Sequence, residues 1–286
     1  MPSLSSLQYY LPPVAVGGVG GSGTRLVASY LQNLGYFLGE DLNEANDNLW
    51  FALLFTRPEI LDTTDSEFCE LAETFAAGMT GSKPFNRRQR ELVNSLAASD
   101  RLQHQASWLK ERAKTLLAEK SPKHPATLWG WKAPNTHIIL DRLINIFDGI
   151  KYIHVMRNGL DMAFSSNQNQ LKIWGKHFFG EDCEITPWNS LKYWCLTHKR
   201  VQAIGQKLGN DFLLLNFDEF CQSPDQGVRE LTEFLDMKVD PAEISALTEL
   251  VNVPDTIGRY KAHGIDCFSD EDLAYVAQLG FETSPG

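Results

Sequence analysis

Pro13-Val14-Ala15-Val16 runs into Gly17-Gly18-Val19-Gly20-Gly21-Ser22-Gly23 and then into Thr24-Arg25-Leu26-Val27-Ala28-Ser29-Tyr30-Leu31. The order is apolar strand, glycine loop, helix. Leu26, Val27, Tyr30, Leu31 and Leu34 recur at helical spacing and Gly35 follows, so the helix packs one face on a sheet and ends there. Five glycines in seven residues are entropically costly unless something needs their bare amides. A loop of this kind aims several backbone N–H groups and a helix N-terminus at one point, which suits a phosphate or sulfate group.

Outward from the loop, residues 41–119 carry mostly helical periodicity, as in Glu67 to Phe75 and Trp108 to Leu117, and read as a helical insert or cap reaching to about residue 125. Lys120-Ser121-Pro122-Lys123-His124-Pro125 is the best linker between insert and core. Strands return at Leu128 to Lys132 and at Lys151 to Met156, separated by a helix, and a further helix is expected from about Gly159 to Asn167. A long amphipathic helix to about Leu208 precedes the apolar strand Phe212 to Leu215. Helices over Pro224–Leu235 and Pro241–Val251 follow, and Ser269 caps the last one. The alternation predicts an α/β fold, a P-loop-like parallel sheet flanked by helices, in one domain spanning residues 1–286 with its helical insert.

The 286 residues hold 26 Lys+Arg and 36 Asp+Glu, a net charge of −10. That balance argues against a nucleic-acid binder with a basic surface, so an anionic ligand must be held locally. No apolar stretch has the length of a membrane span and the start lacks the pattern of an export signal, so a cytoplasmic protein is expected. Five widely spaced cysteines without a CxxC fit reduced thiols.

Two generic patterns overlap in the loop. Gly18 to Gly23 has the spacing of a Walker A loop, but Thr24 and Arg25 stand where its Lys and its magnesium-binding Ser/Thr belong. The same residues spell GxGxxG, the mark of NAD(P)-dependent oxidoreductases, which need a second strand ending in an acid about 20 residues on. Here Gly35 to Asp41 is brief and a helical pattern follows, so that reading stays behind as an alternative. Arg157 closes an apolar strand, and Ser165 lies about two turns into the helix expected after it. Guanidinium and hydroxyl could converge on a second phosphate.

In this order the features resemble the sulfotransferases that use 3′-phosphoadenosine-5′-phosphosulfate (PAPS). Ser22-Gly23-Thr24-Arg25 is similar to the end of their 5′-phosphosulfate loop, and Arg157-Asn158-Gly159-Leu160-Asp161 with Ser165 to their 3′-phosphate motif. Lys132-Ala133-Pro134 is similar to their Lys-x-Pro strand end, Asn216 to Phe220 to their late strand end, and Gly258-Arg259-Tyr260-Lys261 to the basic loop that closes on the nucleotide. The resemblance spans residues 14–261 and leans toward the glycan, tyrosylprotein and bacterial branches. It departs at Gly21, where most members carry Lys or Arg; Arg25 or Lys132 is the substitute charge.

The resemblance implies PAPS as donor, 3′,5′-ADP as product, and a hydroxyl or amine acceptor on a small molecule, saccharide or peptide. It implies a nucleotide held by Gly20, Gly21, Ser22, Gly23, Thr24, Arg25, Arg157, Ser165, Arg259, Tyr260 and Lys261, with Lys132 near the bridging oxygen. Sulfuryl transfer is an in-line displacement that needs positioning and a cation for the leaving oxygen. No divalent-ligand cluster shows in the sequence, so no metal is expected. Asp47 and Glu44, in a carboxylate-rich run read as a helix start, are the candidate bases at i, i+3 spacing. His137, His154 and His177 are weaker candidates, and His154 reads as a core histidine. A catalytically silent nucleotide-binding or scaffold protein of the same fold remains the alternative that Gly21 raises.

Overall fold

A computed structural model of the chain describes residues 10–284 apart from 102 and 126. Strand β1 (Val14–Gly18) leads through the glycine loop into α1 (Thr24–Asn33). The insert supplies α2 (Leu49–Phe55), α3 (Asp65–Thr80), α4 (Arg87–Ala97) and α5 (Ala106–Leu117). Then come β2 (Gly130–Lys132), a 3-10 turn over Pro134–Ile139, α6 (Leu140–Leu143) and β3 (Lys151–Met156). Helices α7 (Gly159–Ala163), α8 (Asn169–Phe179) and α9 (Pro187–Leu208) precede β4 (Phe212–Asn216). Helices α10 (Phe217–Gln222), α11 (Pro224–Phe234) and α12 (Pro241–Thr248), a 3-10 turn over Arg259–Ala262 and α13 (Asp270–Gln278) follow.

The sheet is all parallel in the order β2-β1-β3-β4. Every residue of β1 is buried, which is why it reads as an unbroken apolar run rather than an alternation. The chain leaves β1 for β2 on one side and later reaches β3 on the other. The direction reverses between the carboxyl ends of β1 and β3, the position where open α/β sheets bind ligands. The register sets Gly18 beside Val155 and Met156 beside Asn216, so the glycine loop and Arg157 leave the sheet at the same level.

The insert and one sheet face share an apolar cluster. Phe51 and Phe75 of the insert pack on Trp131 of β2, with the Phe75 ring edge-on at 5.2 Å, a geometry worth about 0.5–1.5 kcal/mol beyond the area it buries. On the other face Val14, Val16, Ile153 and Val155 meet Val27 and Leu31 of α1 and Val228 and Leu231 of α11. Polar caps begin three of the insert's four helices: Asn48 accepts the Phe51 amide at 2.9 Å, and Thr64/Glu67 and Asn86/Gln89 form capping boxes, whereas Gln105 ahead of α5 makes no side-chain cap.

Three local expectations change. Residues 41–48 form a turn closed by an antiparallel bridge between Leu42 and Asn48, not a helix start, because the Asn43 side chain accepts the amides of Ala45 and Asp47 and so competes with helix formation. The helix after Arg157 stops at Ala163 instead of running to Asn167. Helix α8 occupies part of the aromatic stretch that had no assigned element.

Candidate active site

The glycine loop turns twice in the left-handed region, with φ of 96° at Gly21 and 97° at Gly23. A Cβ on Gly23 would sit 2.2 Å from the Phe217 ring, so both backbone shape and packing require glycine here. Gly23 caps α1 without a side chain, and the first turn of α1 holds no acidic residue. The opening amides of the helix therefore face an electropositive end with no internal anion. Ser22 is buried and its Oγ has no partner. Thr24 is buried behind it and Arg25 is exposed.

Arg157 leaves the end of β3, buried to 7% exposure. Its Nη2 donates to Thr256 Oγ1 at 2.8 Å, while its Nε lies 3.7 Å from Asp218 Oδ1 and has no hydrogen-bond partner. The other Asp218 oxygen accepts the Asn158 amide at 2.7 Å. Burial pushes the Asp218 carboxyl above its ordinary pKa, and the Asn158 N–H and Arg157 pull it back. Ser165 falls in the turn after α7 rather than within a helix; its amide donates to Met162 O at 3.1 Å and its Oγ accepts the Asn167 amide at 3.2 Å. Arg259 Nη1 reaches the Phe164 carbonyl at 3.4 Å, the Tyr260 side chain is buried, and the Lys261 ammonium pairs with Glu282 at 2.8 Å.

The two features lie against each other. A Cβ on Gly20 would lie 3.3 Å from Asn167 Nδ2, and one on Gly21 3.6 Å from Met162 Cε. The glycine loop thus abuts the segment between Arg157 and Asn167.

Lys132 ends β2 on the far side of β1 and is 2% exposed. Its Nζ donates to Asp47 Oδ1 and to the Ala45 carbonyl, the latter at 2.8 Å. Burial lowers the lysine pKa, Asp47 draws it back up, and Arg25 pushes it down again, so Arg25 and Lys132 lie in one electrostatic field. The Asn48 amide donates to the Lys132 carbonyl at 2.8 Å, which fixes the 43–47 turn against the strand end. Asp47 is thereby brought to Lys132. Glu44 is not: it sits exposed in the turn, because the expected helical i, i+3 spacing does not exist there.

Behind the loop lies a buried polar cluster. Gln170 donates to the Gly18 carbonyl at 3.0 Å and pairs with His137 Nε2 at 3.1 Å. His154 Nδ1 meets the Tyr152 hydroxyl at 2.8 Å, and His198 Nδ1 donates to the Trp194 carbonyl at 2.7 Å. Burial pushes His137 down to about 3, helped by Arg200, and His198 down to about 4, and it holds His154 well below the usual imidazole value. His137 and His154 are fully buried core residues, and His177 is exposed on α8. Thr256, Asn167, Gln170 and His198 left no signal in the sequence; Asp218 was visible only within the late strand end, without a role, and His154 as a core histidine.

The fold is a parallel α/β sheet whose switch point holds a glycine loop without a Walker lysine, beside an arginine ending the next strand. The oxidoreductase alternative needs a further strand ending in an acid; among the described residues between α1 and α2 the chain makes two isolated bridges, Phe37 to Trp129 and Leu42 to Asn48, and no strand. The profile of the sulfotransferase family matches residues 12–241, and the chain belongs to that family. Its fold is similar to the sulfotransferase domain of the Synechococcus PCC 7002 olefin synthase, at 15% identity over 96% of both chains and a TM-score of 0.53. It is also similar to the sulfotransferase domain from the curacin biosynthetic pathway, at 14% identity over 96% of this chain and 100% of that one, with a TM-score of 0.54. Among curated proteins, none matches the sequence. No helix among the described residues is long and apolar enough to cross a membrane.

Proposed function

We propose that the protein transfers the sulfuryl group of PAPS to a hydroxyl or amine acceptor and releases 3′,5′-ADP. The observation that carries this is that the Gly20 to Thr24 loop lies against the Arg157–Ser165 segment at the carboxyl ends of neighbouring strands. Each holds a buried donor without a hydrogen-bond partner, Ser22 Oγ and Arg157 Nε, the latter 3.7 Å from Asp218 Oδ1, and a phosphosulfate and a 3′-phosphate would satisfy such donors. Gly20, Gly21, Ser22, Gly23 and Thr24 take the 5′ side through backbone amides and hydroxyls. Arg25 supplies the charge that Gly21 lacks. Arg157, Ser165 and the loop of Arg259, Tyr260 and Lys261 take the 3′ side.

In the reaction the acceptor oxygen or nitrogen forms a bond to sulfur as the bond from sulfur to the bridging oxygen breaks. The leaving oxygen gains negative charge, and Lys132, buried and cationic, neutralises it. Asp47 accepts the acceptor's proton. Its contact with the Lys132 ammonium holds both groups at the end of β2, so the cation for the leaving group and the base for the nucleophile start out adjacent. The 43–47 turn and the insert shape the acceptor side, where a small molecule, a saccharide or a peptide would bind.

Turnover tests the proposal. With sulfur-labelled PAPS and a panel of phenols, alcohols, saccharides and tyrosyl peptides, label transfer to at least one acceptor is expected, with 3′,5′-ADP formed in equal amount. Tight 3′,5′-ADP binding with no transfer to any of them would instead favour a silent nucleotide binder, the reading that Gly21 supports.

A further inference from the structure

Asp161 sits midway between Arg157 and Ser165, is 2% exposed, and forms no part of the roles assigned above. Both of its carboxylate oxygens accept hydrogen bonds from the chain's last third. Oδ2 accepts the Gly258 amide at 2.8 Å and Oδ1 accepts the Tyr260 amide at 3.0 Å. Gly258 has φ of 79°, the left-handed turn that aims two nearby amides at a single carboxylate. The Tyr260 ring is buried in the same cluster as Leu160 and Met162, so the turn is seated by packing as well as by charge.

Two further ties join the same segments: Thr256 Oγ1 accepts from Arg157 Nη2, and Arg259 Nη1 reaches the carbonyl of Phe164, the residue before Ser165. The Lys261 ammonium is taken up by Glu282. Of the two cations on this turn, Arg259 is the one placed beside Ser165.

We infer that Asp161 is a positioning residue for donor discrimination: it anchors the 256–260 turn so that Arg259 stands over the 3′-phosphate, making selectivity for a 3′-phosphorylated nucleotide depend on a carboxylate that does not touch it. This rests on the PAPS reading above. A charge-assisted pair of amide bonds holds a turn more rigidly than neutral bonds do, and a preorganised guanidinium binds phosphate without the entropy loss of ordering a loop.

The test is calorimetric binding of 3′,5′-ADP and 5′-AMP to the wild type, Asp161→Asn, Arg259→Ala and the double variant. Asp161→Asn keeps the side-chain shape but replaces one acceptor oxygen with a donor. A loss of about tenfold or more is expected for 3′,5′-ADP, with less than a twofold change for 5′-AMP. The double variant should be no weaker than Arg259→Ala alone, because both changes remove the same contact. Equal losses on the two ligands, or additive losses in the double variant, would show a merely structural role and overturn the inference. Should Asp161→Asn melt too low to titrate, Gly258→Ala, which strains the turn at its φ of 79° without touching Arg157, should show the same selective loss, and an unselective one would count equally against the inference. A wild type that fails to prefer 3′,5′-ADP would sink the PAPS reading itself, a result distinct from a selective wild type that Asp161→Asn leaves unchanged.

Discussion

At the scale of single residues, Lys132 carries the most chemistry. Its ammonium is almost wholly buried yet tied to a carboxylate and a carbonyl, so the cation is retained at a place where water cannot compete for it. Lys132→Ala is expected to lower kcat by about 10²–10³-fold, the magnitude seen when a transition-state donor is removed. It should also weaken 3′,5′-ADP binding, because the bridging oxygen that Lys132 neutralises stays on the product's 5′-phosphate. Since burial lowers the lysine pKa, the charged form is lost at lower pH than for an ordinary lysine, and kcat should fall on an alkaline limb beginning below about 10.4. A pH–rate profile checks both the sign and the position of that limb. Gly23 is the second decisive residue. With its positive φ and the Phe217 ring 2.2 Å from any added Cβ, Gly23→Ala should cost about 2–4 kcal/mol of stability, measured by urea unfolding.

At the scale of elements, the packing of β1 on β3 depends on an absent side chain. A Cβ at Gly17 would lie 2.4 Å from the Tyr152 hydroxyl, which itself holds His154. Gly17→Ala should destabilise by about 1–3 kcal/mol. Adding Tyr152→Phe should recover part of that loss despite freeing His154 Nδ1. Simple additivity of the two single changes in a double-mutant cycle would refute the packing account.

The element level is also where the sequence was most readable. β1, the loop and α1 announced themselves because a buried parallel strand, a run of glycines and a helical apolar stripe occupy consecutive residues. The insert's helices were legible from periodicity, and Arg157 from its place after an apolar run. Contacts between distant segments were not: Asp47 meets Lys132 across 85 positions and Arg157 meets Thr256 across 99, and neither pairing leaves a local pattern. The misreading around Glu44 has a local cause, since an Asn side chain that bonds the backbone two and four residues ahead imitates a helix start in composition while preventing one. Ser165 was placed correctly in order and wrongly in structure, because α7 closes after a single turn and a half at Ala163.

At the scale of the whole molecule, a chain with net charge −10 would have to bind a polyanion through local positive groups, and in the proposed site Arg25, Lys132, Arg157 and Arg259 supply them from separate segments. The price of packing these elements is a polar cluster on the inner side of the sheet. His137, His154 and His198 are neutral in the folded chain, with pKa values depressed by burial, while in the unfolded chain they titrate near 6.5. Below about pH 6.5 the unfolded state therefore binds protons that the folded state does not, until the depressed values near 3–4 are reached. Stability should be full above about pH 7 and fall through that window, by up to about 1.4 kcal/mol per pH unit for each histidine. Thermal melts between pH 8 and pH 5 measure this directly, and a melting temperature that stays flat down to pH 5 would contradict it.

The central claim is that the glycine loop and the Arg157 segment form one nucleotide site with separate 5′ and 3′ pockets. Isothermal titration of 3′,5′-ADP and 5′-AMP into the wild type and Arg157→Ala tests it most directly. The wild type is expected to bind 3′,5′-ADP at least tenfold more tightly than 5′-AMP, and Arg157→Ala to abolish that preference while leaving 5′-AMP affinity nearly unchanged. Equal binding of the two nucleotides by the wild type, or equal losses on both in the variant, would contradict the account.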